Sequence, residues 1–269
     1  MASNLALTAV EDRGVLNGFG TYFRMNNHQW WGTSRWIIQL VVWFLVVNGP
    51  WLIPVLSQTG SQPQVSQTAG EILMLFFLMA GIFPAFGVVV GGQNVFIQGR
   101  QNGTIAWVLS KPVSRLAFIL SKLAADAIGI LVTMVLAQGL VAYLICRFGL
   151  GLAVSIPGFL AALGLLFLHG LFYLALVYML GSLSHSRGLV LGIPMAFIFT
   201  YQMHPSLGLV GKILPWHLIM GTSENLNSSL AALLVDGRPL SAIAPILGTA
   251  VLTLVFLLVT LWRFNKEEF

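Results

Sequence analysis

One cysteine, Cys146, stands in 269 residues. No intrachain disulfide can form, and no cysteine-based metal cluster is available. Charge is scarce too: 8% of residues are Asp, Glu, Lys or Arg, where soluble domains carry about 25%. An ordinary soluble domain is thereby excluded. No G-x-x-x-x-G-K-[ST] loop occurs. Gly211-Lys212 is followed by Ile213, so the chain is expected not to hydrolyse ATP by itself. A hydrolytic constellation is missing as well. Ser182 and Ser184 precede His185, but no buried carboxylate is near to orient the base. His185, His204 and His217 show no metal spacing. The expectation is a chain that is not an enzyme by itself, with no catalytic residue, no metal site and no cofactor of its own.

What is present is apolar: 57% of residues are hydrophobic, and they gather in long runs. The hydrocarbon core of a bilayer is about 30 Å thick and a helix rises about 1.5 Å per residue, so a run of about 20 residues spans it. Six spans are expected, over 36–56, 72–97, 117–145, 156–183, 189–201 and 242–262. The fold class is all-α integral membrane. Orientation follows the basic residues. With the N-terminus inside, ten of the 13 Lys and Arg fall on the inner face, and Arg147, Lys212 and Arg238 on the outer. Both termini are expected in the cytosol. The net charge of +5 thus marks membrane orientation, and no nucleic-acid partner is implied.

Residues 1–35 read as a cytoplasmic N-terminal segment rather than a cleavable signal, because no basic start precedes an apolar core. Within it Phe19, Phe23, Trp30 and Trp31 share a helical face, which Asn27 interrupts. This predicts a helix lying in the inner interface with its aromatics at headgroup depth. Residues 36–262 form the six-span domain, and 263–269 a cytoplasmic tail. The outer segment 204–239 is too long for a turn and too apolar for a disordered loop. Leu230–Val235 and its other short apolar runs are broken by Pro205, Pro215 and Gly221. Backbone at that depth must be covered by protein, so the segment is expected to cap the outer end of a pathway.

The loop 98–122 lies between the second and third spans. Gly103-Thr104 opens a half-apolar stretch that closes at Ser110-Lys111-Pro112. Thr104 as N-cap, helix formers after it and Pro112 beyond predict a short amphipathic helix. Ile105, Trp107, Val108 and Leu109 would leave an apolar patch in water unless a partner covers it. Arg100 and Arg115 are expected at its rim.

Three residues are possible contributors to a pathway. Glu71 opens the second span, where an acid also favours a helix N-terminus. Pro84, among four glycines, should kink that span. His169 lies mid-span in the fourth, where an ionisable side chain suggests function. A hydrogen bond to Gln138 or Thr133 would also account for it. Asp126, near the inner end of the third span, is expected to snorkel or to pair with Lys122 one turn back.

The motif Gly99-Arg100-Gln101-Asn102-Gly103-Thr104, then Val108-Leu109-Ser110, Lys111-Pro112-Val113-Ser114-Arg115 and Ser121-Lys122 resembles the type-2 ABC exporter permeases. It looks closest to the branch linked to antibiotic export and copper-enzyme maturation. The acidic residue usual before the arginine is replaced by Gly99. The resemblance implies a permease subunit in the cell membrane of a bacterium, assembled with separate ATPase subunits that hold ATP and Mg. It also implies a second permease copy, surrounding lipid, and a central path lined by the second and fifth spans. The loop helix would transmit ATPase closure. A secondary transporter or channel would need internal repeats or paired intramembrane charges, and neither is evident. A membrane scaffold without transport is the other alternative.

Overall fold

The computed structural model describes residues 14–50, 52–53, 69–109, 113–200, 208–211, 213–220 and 229–266. The described residues are helical, without strands. In chain order the helices are α1 Phe19–Trp31, α2 Arg35–Trp43, α3 Ala69–Gly92, α4 Ile97–Gln101, α5 Thr104–Leu109, α6 Arg115–Ile130 and α7 Ala137–Leu144. Next come α8 Ile156–Leu183, α9 Arg187–Phe199, α10 Gly208–Gly211, α11 Trp216–Ile219, α12 Leu230–Val235 and α13 Ala244–Lys266.

Four stretches are long and apolar enough to cross a membrane: Ala69–Gln101, Arg115–Gly149, Ile156–Leu183 and Ala244–Lys266. A fifth is reached only if α1 and α2, which continues as a π-turn through Phe44–Asn48 and is bent 57° from α1, count together as one span. The fifth expected span, 189–201, is met by a helix shorter than a crossing needs. Helix α9 has 13 residues, about 20 Å of rise. The end of the first expected span, 54–56, lies outside the described residues, as does most of 201–228.

Local chemistry sets several boundaries. Ser155 accepts from the Gly158 N–H and Pro157 fills the first turn of α8, where its missing N–H costs nothing. Ser114 accepts from the Ala117 N–H at 3.0 Å to start α6. Ser229 does the same for Ala232 at 3.1 Å to start α12. Helix α3 passes through Pro84 unbroken and buries it, so the kink expected there is not a break. The glycines of α3 act as notches instead. Gly81 receives the Ile219 side chain, Gly87 the Trp43 indole and Gly92 Val177.

Helix α8 is the centre of the bundle, packed by α3, α9, α12 and α13. Its most apolar window is 67% buried, against 22% for α13, which places α13 at the periphery. Leu247, Val251, Leu254 and Leu258 of α13 are exposed. Their i, i+4, i+7, i+11 spacing makes one outward stripe, as a lipid-facing helix requires.

Candidate functional site

The two ends of the bundle are tied by different chemistry. At one end arginines cap helix C-termini. Arg100 Nη1 donates to the Gly181 carbonyl at 2.7 Å and to that of Ser184 at 3.4 Å, while Nη2 reaches Ser182 O at 3.4 Å. Arg115 Nη1 donates to Phe264 O at 3.1 Å and Asn265 O at 2.8 Å. Arg187 Nε bonds Gln93 Oε1 at 3.2 Å. The last carbonyls of a helix lack intrahelical partners and carry partial negative charge, which a guanidinium fork neutralises. The two arginines expected at the rim of a partner contact are therefore joined first to α8 and α13. At the opposite end Asp236 Oδ1 accepts from the Gly70 N–H at the start of α3, at 2.8 Å.

Helix α5 sits at the arginine end. Gly103 has φ +64°, a conformation glycine adopts without strain. Its carbonyl accepts the first helical bond, from the Trp107 N–H at 3.0 Å. Gly103 thus occupies the cap expected of Thr104, which is the first helical residue and exposed. Ile105 is 1% exposed and Val108 2%, whereas Trp107 is 65% exposed. Ile105 and Val108 anchor the helix to the bundle, so the outward apolar surface among the described side chains is that of Trp107. The Leu109 side chain and Pro112 lie outside what is described. A Cβ at Gly99 would stand 2.9 Å from Ile105. The residue that replaces the expected acid thus admits α5 against α4, the end of the 33-residue helical stretch Ala69–Gln101.

The N-terminal helix buries a different stripe from the expected one. Tyr22, Asn26 and Trp30, at i, i+4 and i+8, face the bundle. Tyr22 meets Phe118 edge-on at 6.3 Å, Asn26 is buried, and Trp30 Nε1 donates to Asp126 Oδ1 at 2.9 Å. Trp30 thus packs its indole into the bundle. It fills the space over Gly129. Phe19 and Phe23 stack at 5.8 Å. Trp31 donates to Asn27 Oδ1 at 2.9 Å, so Asn27 serves the aromatic face it was expected to spoil.

Asp126 is the hub that sequence reasoning undervalued. It is 7% exposed, so it does not snorkel. Besides Trp30 it receives Lys122 Nζ at 3.0 Å and the Tyr178 hydroxyl at 2.7 Å. One carboxylate joins α1, α6 and α8. The Lys122 partner was legible from i, i+4 spacing; the other two lie 96 and 52 residues away. An aromatic chain continues from it. Tyr178 packs on Phe96 at 5.6 Å, Phe96 on Phe264 at 6.0 Å, and Phe264 on Phe118 at 5.8 Å.

His169, 1% exposed, bonds neither Gln138 nor Thr133. Its Nδ1 lies 3.2 Å from the Pro215 carbonyl, and its ring packs on Tyr173 at 5.1 Å and Trp216 at 5.0 Å. Gln138 is used elsewhere. It accepts from Asn48 Nδ2 at 2.8 Å and donates to the Thr133 carbonyl at 3.0 Å, within the π-turn Leu131–Leu136. Thr133 donates to Gly129 O at 2.7 Å. Gly81 and His169 lie about 18–20 Å along α3 and α8 from their Asp236-end starts, and α11 packs between them with Trp216, Leu218 and Ile219 fully buried. Glu71 sits in the first turn of α3. Glu71, Pro84 and His169 are not brought together, and they line none of the three cavities beside Asp126, beside Asp236 and beside Leu140.

The family model for ABC-2 family transporter protein matches residues 52–263. Comparison with individual curated proteins finds no match.

Proposed function

The chain belongs to the ABC-2 transporter family, a multi-pass membrane permease family, and from that premise we propose that it is the exporter subunit through which a separate ATPase drives movement of the helix bundle. In this reading α5 is the coupling helix. It receives force from an ATPase groove through Trp107 and passes it by Ile105 and Gly99 to α4 and the span above. Arg100 and Arg115 pass it on to the ends of α8 and α13. The carrying observation is the split within α5: Ile105 and Val108 lock into the bundle while Trp107 is 65% exposed.

The bundle makes six crossings. Helix α9 covers only part of the fifth, and α11 enters from the outer side to meet it, its Pro215 carbonyl satisfied by His169. A covered break of this kind is what irregular backbone at membrane depth demands. Helix α1 lies along the cytosolic surface, pinned by Asp126. Two such chains and two ATPase subunits make the working unit, with the termini in the cytosol.

The test is Trp107→Ala in the reconstituted complex. Large aromatics dominate such contacts, and truncation costs about 2 kcal/mol, roughly a thirtyfold loss of ATPase-subunit affinity. The variant should fold and insert normally yet bind the ATPase weakly or hydrolyse ATP without transport. Wild-type affinity together with coupled hydrolysis would reject α5 as the coupling element. Copurification of the permease without any ATPase subunit would reject the wider reading.

A further inference from the structure

A cavity of about 440 Å³ opens beside the Asp126 hub, within the size range of small-ligand sites, about 300–1,000 Å³. It is walled by the α1–α2 bend, by the lower part of α3 with α4, by α6 and by Leu174 of α8. Its lining is graded. On α6 and the π-turn that follows it the wall runs from Lys122 and Asp126 to Ile130 and Met134, at steps of four residues. On α3 and α4 it runs from Gln98 through Gly91 to Val88, and on α2 it begins at Arg35 and Gln39. The first two walls change from charged or amide at the arginine-capped end to apolar about 15–18 Å further in, while α2 adds only polar side chains at the mouth.

The electrostatics favour an anion at the mouth. Asp126 is already matched by Lys122, Trp30 and Tyr178. Arg35 makes no ion pair among the described residues. The lining thus holds two cations against one acid. Trp30 lines the mouth and Trp31 and Trp36 stand beside it, the side chains that settle at headgroup depth. A Cβ at Gly91 would meet nothing within 4 Å, so the wall is left open there rather than filled by a neighbouring side chain. Polar cationic mouth, apolar depth and aromatic edge together match an amphiphile.

We propose that this cavity binds one anionic phospholipid from the leaflet at the coupling-helix end, its phosphate at Arg35 and Lys122 and the start of its acyl chains against Gly91, Val88 and Met134. The bound lipid would wedge α1 and α2 against α3 and α6, so occupancy would tune how stiffly the N-terminal bend follows the bundle. The site does not depend on how α5 meets an ATPase.

The probe is phosphatidylglycerol, compared with phosphatidylcholine, added to the purified full chain in micelles. Retained adducts are counted by native mass spectrometry. Glycerol 3-phosphate serves as the soluble competitor. The expected result is retention of one phosphatidylglycerol per chain, preferred over phosphatidylcholine and not displaced by glycerol 3-phosphate. Arg35→Gln, at an exposed position, should cut that preference about fivefold, the effect of one basic residue near an anionic surface. Gly91→Leu should lower occupancy by both lipids, because its side chain enters the open wall while leucine favours the helix. An unchanged preference in Arg35→Gln or unchanged occupancy in Gly91→Leu overturns the assignment. Displacement by glycerol 3-phosphate overturns it too, since the site would then read a phosphate ester without its tails.

Discussion

Asp126 and His169 are two buried ionisable side chains that the fold spends on holding itself together. Asp126→Ala would leave Lys122 buried to 21% exposure without its acid, and would strand the Trp30 and Tyr178 donors. Breaking a buried pair by removing one partner costs about 3–5 kcal/mol. Tyr178→Phe removes a single bond to the same carboxylate and should cost about 1.5–3 kcal/mol. Unfolding of the purified variants in denaturant should rank them in that order; equal stability would deny Asp126 its place as a hub. For His169→Ala the expected loss is local. The Pro215 carbonyl forfeits its partner and Trp216 an aromatic neighbour, so hydrogen exchange should quicken over 213–220 while the α8 core stays protected. The sequence showed both residues as exceptions in apolar runs. Apart from Lys122, four residues before Asp126, it could not show their partners, because each of those bonds closes a loop of tens of residues.

Helix α5 is six residues long, far below the about 12–15 at which an isolated helix persists in water. It exists because Ile105 and Val108 are buried and Gly103 turns the chain. Ile105→Ala leaves a cavity against Gly99 and should destabilise by about 2–5 kcal/mol at most. Gly103→Ala should raise strain at a positive φ by about 1 kcal/mol. Both should weaken coupling as well as stability, whereas Trp107→Ala should weaken coupling alone. That difference can be read by measuring melting temperature beside ATP turnover. At the other end of the bundle, a Cβ on Gly158 would run into the backbone carbonyl of Leu234. Backbone cannot swing aside as a side chain can, so Gly158→Ala must push α12 off α8 and should cost about 1–3 kcal/mol. A wild-type melting temperature would show that α12 does not pack as described. The amphipathic helix was legible from its Gly-Thr opening and apolar spacing; which of its apolar residues turned inward was not, since Ile105 and Trp107 differ in neighbours rather than in kind.

For the whole molecule, the basic residues separate by end. Arg100, Arg115, Lys122, Arg187, Arg263 and Lys266 lie near the capped helix C-termini, and Arg147 and Arg238 at the opposite end. Cysteine placed at exposed Asn102 should be shielded from an impermeant reagent in intact cells, and cysteine at exposed Arg238 should react, in a Cys146→Ala background. Labelling at 102 would invert the orientation.

Sequence alone determined the apolar runs, the charge asymmetry, the single thiol and the motif of loop 98–122, because each is a property of neighbours along the chain. Four of the six expected spans stand as long apolar helices, 156–183 at its expected bounds. Tertiary structure decided what those properties do. It turned Trp30 inward to a carboxylate 96 residues away. It spent Arg100 and Arg115 on helix ends, and it gave His169 the carbonyl of an irregular segment. The physical reason is burial: once water is excluded, every charge and amide must find a partner within about 3 Å, and only the folded bundle determines which partner is within reach.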